Sequence, residues 1–226
     1  MLAIIKKELK SYLLTPIGYI FIGLFILMFG LLFFIGIYQS KYLNFEYVFW
    51  DAATILTFIT PVLTMRMFAE ERKNGTEQLL LTSPRSLVSV VLGKFIAALI
   101  IIVLTLSFTL IHFAILDFFG EPNFKLAIVT LLGTFLLSMA YTAFGMFASS
   151  ITENQIIACV LTIGILIAMW FLPNANDAFY GFSLINMFDK FPSGIIALDS
   201  IVYFISFTIL FILLTIVVLQ RRKCVK

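Results

Sequence analysis

The densest group of charged side chains lies in the segment TMRMFAEERKNGTEQLLLTSPRS, residues 64–86. Two carboxylates and two guanidinium groups fall within a few positions of each other, at Arg66, Glu70, Glu71 and Arg72. Such groups can form directional, charge-assisted hydrogen bonds with a partner surface. They can also form a solvated face with weak pairing, which is the common outcome for exposed charges. The residues alone leave both interpretations open.

Turn and capping residues divide this segment into short pieces. Asn74-Gly75 predicts a left-handed helix end, because glycine adopts positive φ without a steric cost. Thr76 is placed to cap a short helix that contains the leucines at 79–81, and Ser83-Pro84 is typical of the start of the next helix. Three leucines on a short polar helix favour a docking surface for another protein, with packing on the protein's own surface as the alternative.

A nucleotide-binding loop is absent from the sequence. The Gly93-Lys94 pair is followed by Phe95, and Val88 occupies the position of the first glycine in the P-loop pattern. That pattern needs both glycines and a serine or threonine after the lysine to surround phosphates and Mg²⁺. We therefore expect this chain to bind no ATP or Mg²⁺ of its own.

Other catalytic and metal-binding patterns are equally lacking. The single histidine, His112, has only Asp117 as a nearby carboxylate, which gives no serine, histidine and acid arrangement. Cys159 and Cys224 are far apart and have no neighbouring residues of metal-ligand type. These observations predict that the chain is not an enzyme and contains no metal site.

The composition is that of an integral membrane protein. Of the 226 residues 62% are hydrophobic and only 12% are charged, with a mean hydropathy of +1.11. Soluble domains have roughly half apolar and about a quarter charged residues. The bilayer is therefore the expected solvent for most of the chain.

Windows without charge predict six transmembrane helices, because about 20 apolar residues cross a hydrocarbon core of about 30 Å. The second is the weakest, since Asp51 and Arg66 must both lie at the interfaces. No charged residue falls near the middle of any window, which disfavours proton-coupled transport. The six windows are residues 17–38, 47–67, 95–116, 126–149, 155–173 and 200–220.

The distribution of Lys and Arg predicts the orientation. With the N-terminus inside, the inner segments contain twelve of the fifteen basic residues, and the outer loops contain only Lys41, Lys125 and Lys190. Cytoplasmic flanks of membrane proteins have this excess. We expect a multi-pass protein with both termini cytoplasmic, and its net charge of +3 gives no indication of nucleic-acid binding.

Residues 1–16 show the spacing of an amphipathic helix on the inner membrane surface. The alternative is a fraying basic tail. Leu2, Ile5, Leu9 and Leu13 share one face of the predicted helix, and the opposite face contains Lys6, Lys7 and Lys10.

Uncharged polar residues form stripes on two of the predicted spans. They could line a substrate path, although such stripes most often serve close helix packing. The stripes are Thr57, Thr60 and Thr64 on the second span and Thr130, Thr134 and Ser138 on the fourth.

Residues 174–199 are half apolar, so we expect a re-entrant outer segment of short helices, with a plain interfacial loop as the alternative.

The charged segment and its flanks resemble a known family. Thr64-Met65-Arg66, Phe68 to Arg72, Gly75-Thr76, Leu80 to Pro84 and Val90 to Phe95 together resemble the signature region of ABC-2 type ABC transporter permeases. The subgroup that includes gliding-motility and copper-enzyme-maturation permeases is the most similar. Weaker similarity at Lys7 to Tyr12, Gly194 to Ile196 and Arg221-Arg222 extends the resemblance over most of the chain.

The resemblance implies a single ABC-2 type transmembrane domain, residues 1–226, in the bacterial inner membrane. It implies an ATP-driven exporter in which a cytosolic coupling helix between helices 2 and 3 docks on a separate ABC ATPase that binds ATP and Mg²⁺. Contact between two permease copies would involve Gly164 and Ala168 in the fifth span. The alternative is a non-transporting membrane scaffold that recruits a cytosolic complex. The coupling residues implied are Arg66, Glu70, Glu71, Arg72, Gly75, Thr76 and Leu80.

Overall fold

The computed structural model describes residues 1–40, 45–78, 86–119, 124–175, 181 and 183–225. Throughout these residues the regular structure is helical, which confirms the predicted all-α class. The helices are α1 (Leu2–Leu14), α2 (Pro16–Ser40), α3 (Phe45–Thr64), α4 (Ala69–Lys73), α5 (Leu87–Phe119), α6 (Phe124–Ile151), α7 (Gln155–Ala175), α8 (Leu184–Phe188) and α9 (Leu198–Val225).

Within the described ranges, five segments are long and apolar enough to cross a membrane. They are Pro16–Gly36, Trp50–Lys73, Leu87–Ile115, Phe124–Ile151 and Leu198–Arg222. The fifth predicted span corresponds to the shorter apolar helix Gln155–Phe171 in α7. At about 1.5 Å per residue it is a few ångströms shorter than the hydrocarbon core, so the sixth crossing stays a prediction.

Helix α6 is central to the packing and contacts α3, α5, α7 and α9. Small residues make this possible, since Ala140, Ala143 and Ala148 are fully buried on it. The closest approach is at Gly145, where an added Cβ would lie 2.2 Å from Thr64 Oγ1. Lipid supplies little driving force for helix association, so close backbone approach and van der Waals contact hold α3 and α6 together.

The structure corrects the predicted face of the N-terminal helix. α1 packs against α2 and α5 and buries Ile5 and Tyr12, whereas Leu2 and Leu13 are 81% and 41% exposed. The four apolar residues that the sequence places on one face of the helix are therefore divided between a side that faces the protein and an exposed side. Hydrophobicity failed to identify the buried face because a tyrosine and a glutamate, Glu8, also belong to it. Contact between the exposed leucines and a membrane stays a prediction.

The second apolar segment, Trp50–Lys73, is not one continuous helix. α3 ends at Thr64, residues 65–68 form a turn, and α4 begins at Ala69. The predicted left-handed end is confirmed, since Gly75 has φ +71°. The leucines at 79–81, including Leu80, and Ser83-Pro84 lie outside the described residues.

The outer segment contains the short helix α8. The Ser183 hydroxyl caps it by accepting a hydrogen bond from the Asn186 amide, and Phe188 and Phe191 are fully buried. The Phe191 ring lies against α6 at Gly133, where an added Cβ would be 2.4 Å from it. A short helix in this segment matches the expectation, while its depth in the outer leaflet stays a prediction.

We predict that Gly145→Ala lowers the stability of the protein by about 1–3 kcal/mol, because the new methyl group overpacks the contact with Thr64. The midpoint of thermal unfolding in detergent measures this effect. Gly23→Ala is the matched control, since no atom lies within 4 Å of its added Cβ. Adding Thr64→Ala to Gly145→Ala should restore only part of the midpoint, because it removes the Oγ1 contact but keeps a Cβ 2.9 Å from the new methyl group. Equal midpoints for the two glycine variants would contradict the close packing.

Candidate functional site

The charged segment gathers several helix ends at one end of the bundle. Ion pairs join it to the start of α5, to the residues that follow α6 and to the end of α9, and Lys94 of α5 in turn pairs with Glu8 of α1. Arg66, Glu70, Glu71 and Arg72 are therefore paired within the chain, and their contact with a partner surface stays a prediction.

Arg66 lies in the turn between α3 and α4 and forms a two-point interaction with Glu70. Its Nε lies 2.6 Å from Oε2 and its Nη2 lies 3.1 Å from Oε1. The guanidinium also donates through Nη1 to Thr15 Oγ1 at 3.2 Å. This planar fork fixes the direction of the contact as well as its charge. It links α4 to the junction between α1 and α2.

Lys94 is the most deeply buried charged group described, with 3% of its side chain exposed. Its Nζ donates to Glu71 Oε1 at 2.8 Å and to Glu8 Oε1 at 3.1 Å. It also lies 5.5 Å from the centroid of the Phe68 ring, within the range of a cation–π contact. A buried ammonium needs such compensation, because leaving water costs several kcal/mol. The lysine thus joins α5 to α4 and α1.

Two further arginines meet at the C-terminal end of α6. Arg72 lies 2.6 Å from Glu153 and donates to the Ile151 carbonyl at 3.0 Å. Arg222 of α9 donates to the same carbonyl at 3.2 Å and to Glu77 at 3.2 Å. Carbonyls at a helix C-terminus lack partners in the helix and attract cations, so this carbonyl connects α4 with α9.

A cavity of about 520 Å³ lies between α1, α4 and the start of α5. Tyr12 lies in its wall, and burial together with the neighbouring Glu8 raises the pKa of the Tyr12 hydroxyl, which stays protonated. Other lining groups are Glu8, Arg66, Glu70, Glu71 and Lys94.

The described residues include no group of three His, Cys, Asp or Glu side chains that could hold a metal ion.

The structure brings together six of the seven implied coupling residues. Arg66, Glu70, Glu71 and Arg72 form the ion pairs above, and Gly75 provides the turn that follows α4. The Thr76 hydroxyl donates to the Glu71 carbonyl at 3.1 Å. Their role in coupling stays a prediction, and Leu80 lies outside the described residues.

Sequence reasoning missed the partners of these residues. One signal was available: Lys94 is a single charge near the start of a long apolar helix, and such a charge needs a counterion. The identity of the counterions depends on how α1 folds back over α5, which no local pattern reveals. The missed residues are Glu8, Glu77, Lys94, Ser149, Glu153 and Arg222.

The residues suggested as path lining are all buried inside this chain. At most 1% of each is exposed, and their hydroxyls mostly donate to carbonyls of their own helices. The Thr60 hydroxyl has no hydrogen-bond partner among the described residues. A path role would require α3 and α6 to separate, and it stays a prediction. The six residues are Thr57, Thr60, Thr64, Thr130, Thr134 and Ser138.

One hydrogen-bonded chain crosses three helices within the apolar part of the bundle. Trp170 of α7 donates to the Tyr141 hydroxyl of α6 at 3.3 Å, which lies 3.2 Å from Thr57 Oγ1 of α3. Thr57 lies 3.0 Å from the Ala53 carbonyl. The two ends of this chain have fixed directions, because the indole N–H can only donate and the Ala53 carbonyl can only accept.

The residues implied in a contact between copies lie on an exposed face of α7. Gly164 and Ala168 are both exposed, and no atom lies within 4 Å of a Cβ added at Gly164. This face is available to lipid or to another protein, so the contact between copies stays a prediction.

These features define a multi-pass helical membrane protein with a charged, ion-paired end. The profile of the family described as "ABC-2 family transporter protein" matches residues 38–219, which is 182 of the 226 residues. The chain therefore belongs to the ABC-2 family of transporter proteins and is a permease component of an ABC transporter. Membership implies an ABC ATPase partner. None of the curated proteins matches the chain significantly.

We predict that Lys94→Met destabilises the protein by about 3 kcal/mol, because Glu8 and Glu71 would face each other without their shared cation. The readout is the thermal unfolding midpoint in detergent. Lys73→Met, at an exposed position, is the control and should leave the midpoint unchanged. Adding Glu8→Gln and Glu71→Gln to Lys94→Met should recover part of the loss; no recovery would argue against the charge explanation.

Proposed function

We propose that this chain is the membrane-spanning subunit of an ATP-driven exporter and that two copies pair with two copies of a separate ABC ATPase. ATP and Mg²⁺ would bind in the ATPase, and the permease itself would catalyse no reaction. Two observations support the assignment of ATP hydrolysis to a separate subunit: family membership and the absence of a P-loop pattern from the sequence. The proposed location is the bacterial inner membrane, with both termini cytoplasmic.

The observation that carries the proposal is the ion-pair network around α4. α4 follows a span closely and is bonded directly to α5 and to the residues after α6. Lys94 extends the network from α4 to Glu8 of α1, and Arg222 of α9 joins it at Glu77. A displacement applied to the segment after Gly75 would therefore reach several helices at once. Packed interfaces move between discrete arrangements rather than deforming continuously, so such a push favours a concerted rearrangement.

The mechanism we propose has three steps. Closure of the ATPase subunits pushes on residues 76–83, α4 transmits the push to α3 and α5, and a path opens between the two permease copies. The buried hydroxyl stripes of α3 and α6 would line that path once the helices separate. Gly164 and Ala168 on the exposed face of α7 would contribute to the contact between the copies.

We expect a cysteine introduced at Asn74 to react only with cytoplasmic reagents. Asn74 is exposed and adjacent to Gly75, at the end of the bundle where basic residues predominate. In a variant lacking Cys159 and Cys224, a membrane-impermeant maleimide should label Asn74→Cys in inside-out vesicles but not in intact cells. Ser193→Cys, exposed in the outer segment, is the control with the opposite expectation. Labelling of Asn74→Cys in intact cells would refute the orientation.

We predict that Glu71→Ala reduces stimulation of the partner ATPase at least fivefold while membrane insertion is retained. The substitution removes the link between α4 and Lys94, so α4 can move without displacing α5. Nucleotide hydrolysis by the reconstituted complex measures stimulation, and the amount of protein in purified membranes measures insertion. Lys190→Ala, which breaks an exposed pair with Asp199 in the outer segment, is the control.

Two outcomes of these experiments would count against the proposal. Unchanged stimulation in Glu71→Ala would remove α4 from the coupling route. Purification of the native protein with only non-ATPase partners would favour the alternative, a membrane scaffold that recruits a cytosolic complex.

A further inference from the structure

Helix α4 begins without a cap of its own. The residue at its N-cap position is Phe68, whose side chain cannot accept a hydrogen bond from the helix. The first amides of a helix have no partner within it, and a hydroxyl or carboxylate oxygen normally satisfies them. In this protein the oxygen comes from another span: Ser149 Oγ of α6 accepts from the Phe68 and Ala69 amides, each at 3.1 Å.

The same hydroxyl also closes the turn that ends α3. Ser149 Oγ donates its proton to the Met65 carbonyl at 2.9 Å, so its one proton and both lone pairs are used. The side chain is fully buried, which leaves water no access to replace these bonds. One side chain of α6 therefore bonds the end of α3 and the start of α4 simultaneously.

A second contact places the same two helices together one helical turn away. Gly145 lies four residues before Ser149 on α6 and meets Thr64, the last residue of α3, with no room for a Cβ. The end of α3 is thus held to α6 by backbone approach and by hydrogen bonds. Movement of α6 away from α3 would break both contacts and leave α4 uncapped.

We infer that Ser149 is a positioning residue that makes the order of α4 conditional on the packing of α3 against α6. The end of α3, α4 and the end of α6 then respond to an applied push as one unit. In the opposite direction, separation of α3 from α6 removes the cap and releases α4 from both helices. This inference rests on the proposed coupling function, whereas the cap itself can be tested without any partner.

The first experiment measures amide hydrogen exchange of the full-length permease in lipid nanodiscs. Ser149→Ala should speed exchange at Phe68 and Ala69 about fivefold, the effect of losing a typical helix cap. Ser150→Ala is the matched control, since Ser150 is adjacent and equally buried but, among the described residues, bonds only the Phe147 carbonyl of its own helix. Equal exchange in wild type and Ser149→Ala, or equal acceleration in both variants, would overturn the inference.

The second experiment uses the complex with the partner ATPase and separates binding from stimulation. Ser149→Ala should bind the ATPase with an affinity within twofold of wild type and lose at least threefold in stimulated hydrolysis, while Ser150→Ala retains both. Faster exchange with unchanged stimulation would overturn the coupling role of Ser149 but not the proposed function. A wild-type permease that engages no ATPase would overturn the proposed function and this coupling role, whereas the exchange result would still decide the cap.

Discussion

The constraint on which the charged end of this protein depends is the cost of removing an ammonium group from water. Lys94 is nearly fully buried, so its two carboxylate partners are required rather than optional. Glu8 and Glu71 come from α1 and α4, and satisfying one lysine therefore brings three helices to one place. The helix α1 is then oriented by Glu8 and Tyr12 instead of by its leucines. A single desolvated charge thus organises elements that share no sequence pattern.

The sequence was sufficient for features that depend on composition over a window. Apolar stretches predicted the positions of the long helices, although α5 begins at Leu87, eight residues before the predicted third span, and Asn74-Gly75 predicted the end of α4. Prediction failed where a contact distant in the sequence decides the local structure. The break between α3 and α4 is stabilised by Ser149, eighty residues away, and the buried face of α1 is selected by Lys94. No periodicity in either segment contains that information.

The interior of the bundle shows the same division between local and distant partners. Most buried hydroxyls of α3 and α6 donate to a carbonyl of their own helix, so these groups are satisfied before the helices meet. Ser149 and the chain from Trp170 through Tyr141 to Thr57 are different, because their bonds exist only when the helices are packed. A polar stripe seen in the sequence therefore mixes two kinds of residue. Only residues that bond across helices lose hydrogen bonds when the helix packing changes, so only these residues respond to such a change or oppose it.

Different interactions hold the two ends of the bundle. The free-energy cost of moving the helices therefore differs between the ends. At the charged end, partly buried ion pairs and a three-bond serine connect five elements, and breaking any of them leaves a desolvated polar group behind. At the opposite end, the pair between Lys190 and Asp199 is exposed and contributes little, while Phe188 and Phe191 supply nondirectional apolar contact. Apolar surfaces can slide past one another without leaving a polar group unpaired. In the proposed mechanism, a push received at the charged end would therefore be transmitted with little local loosening and would cause movement at the opposite end.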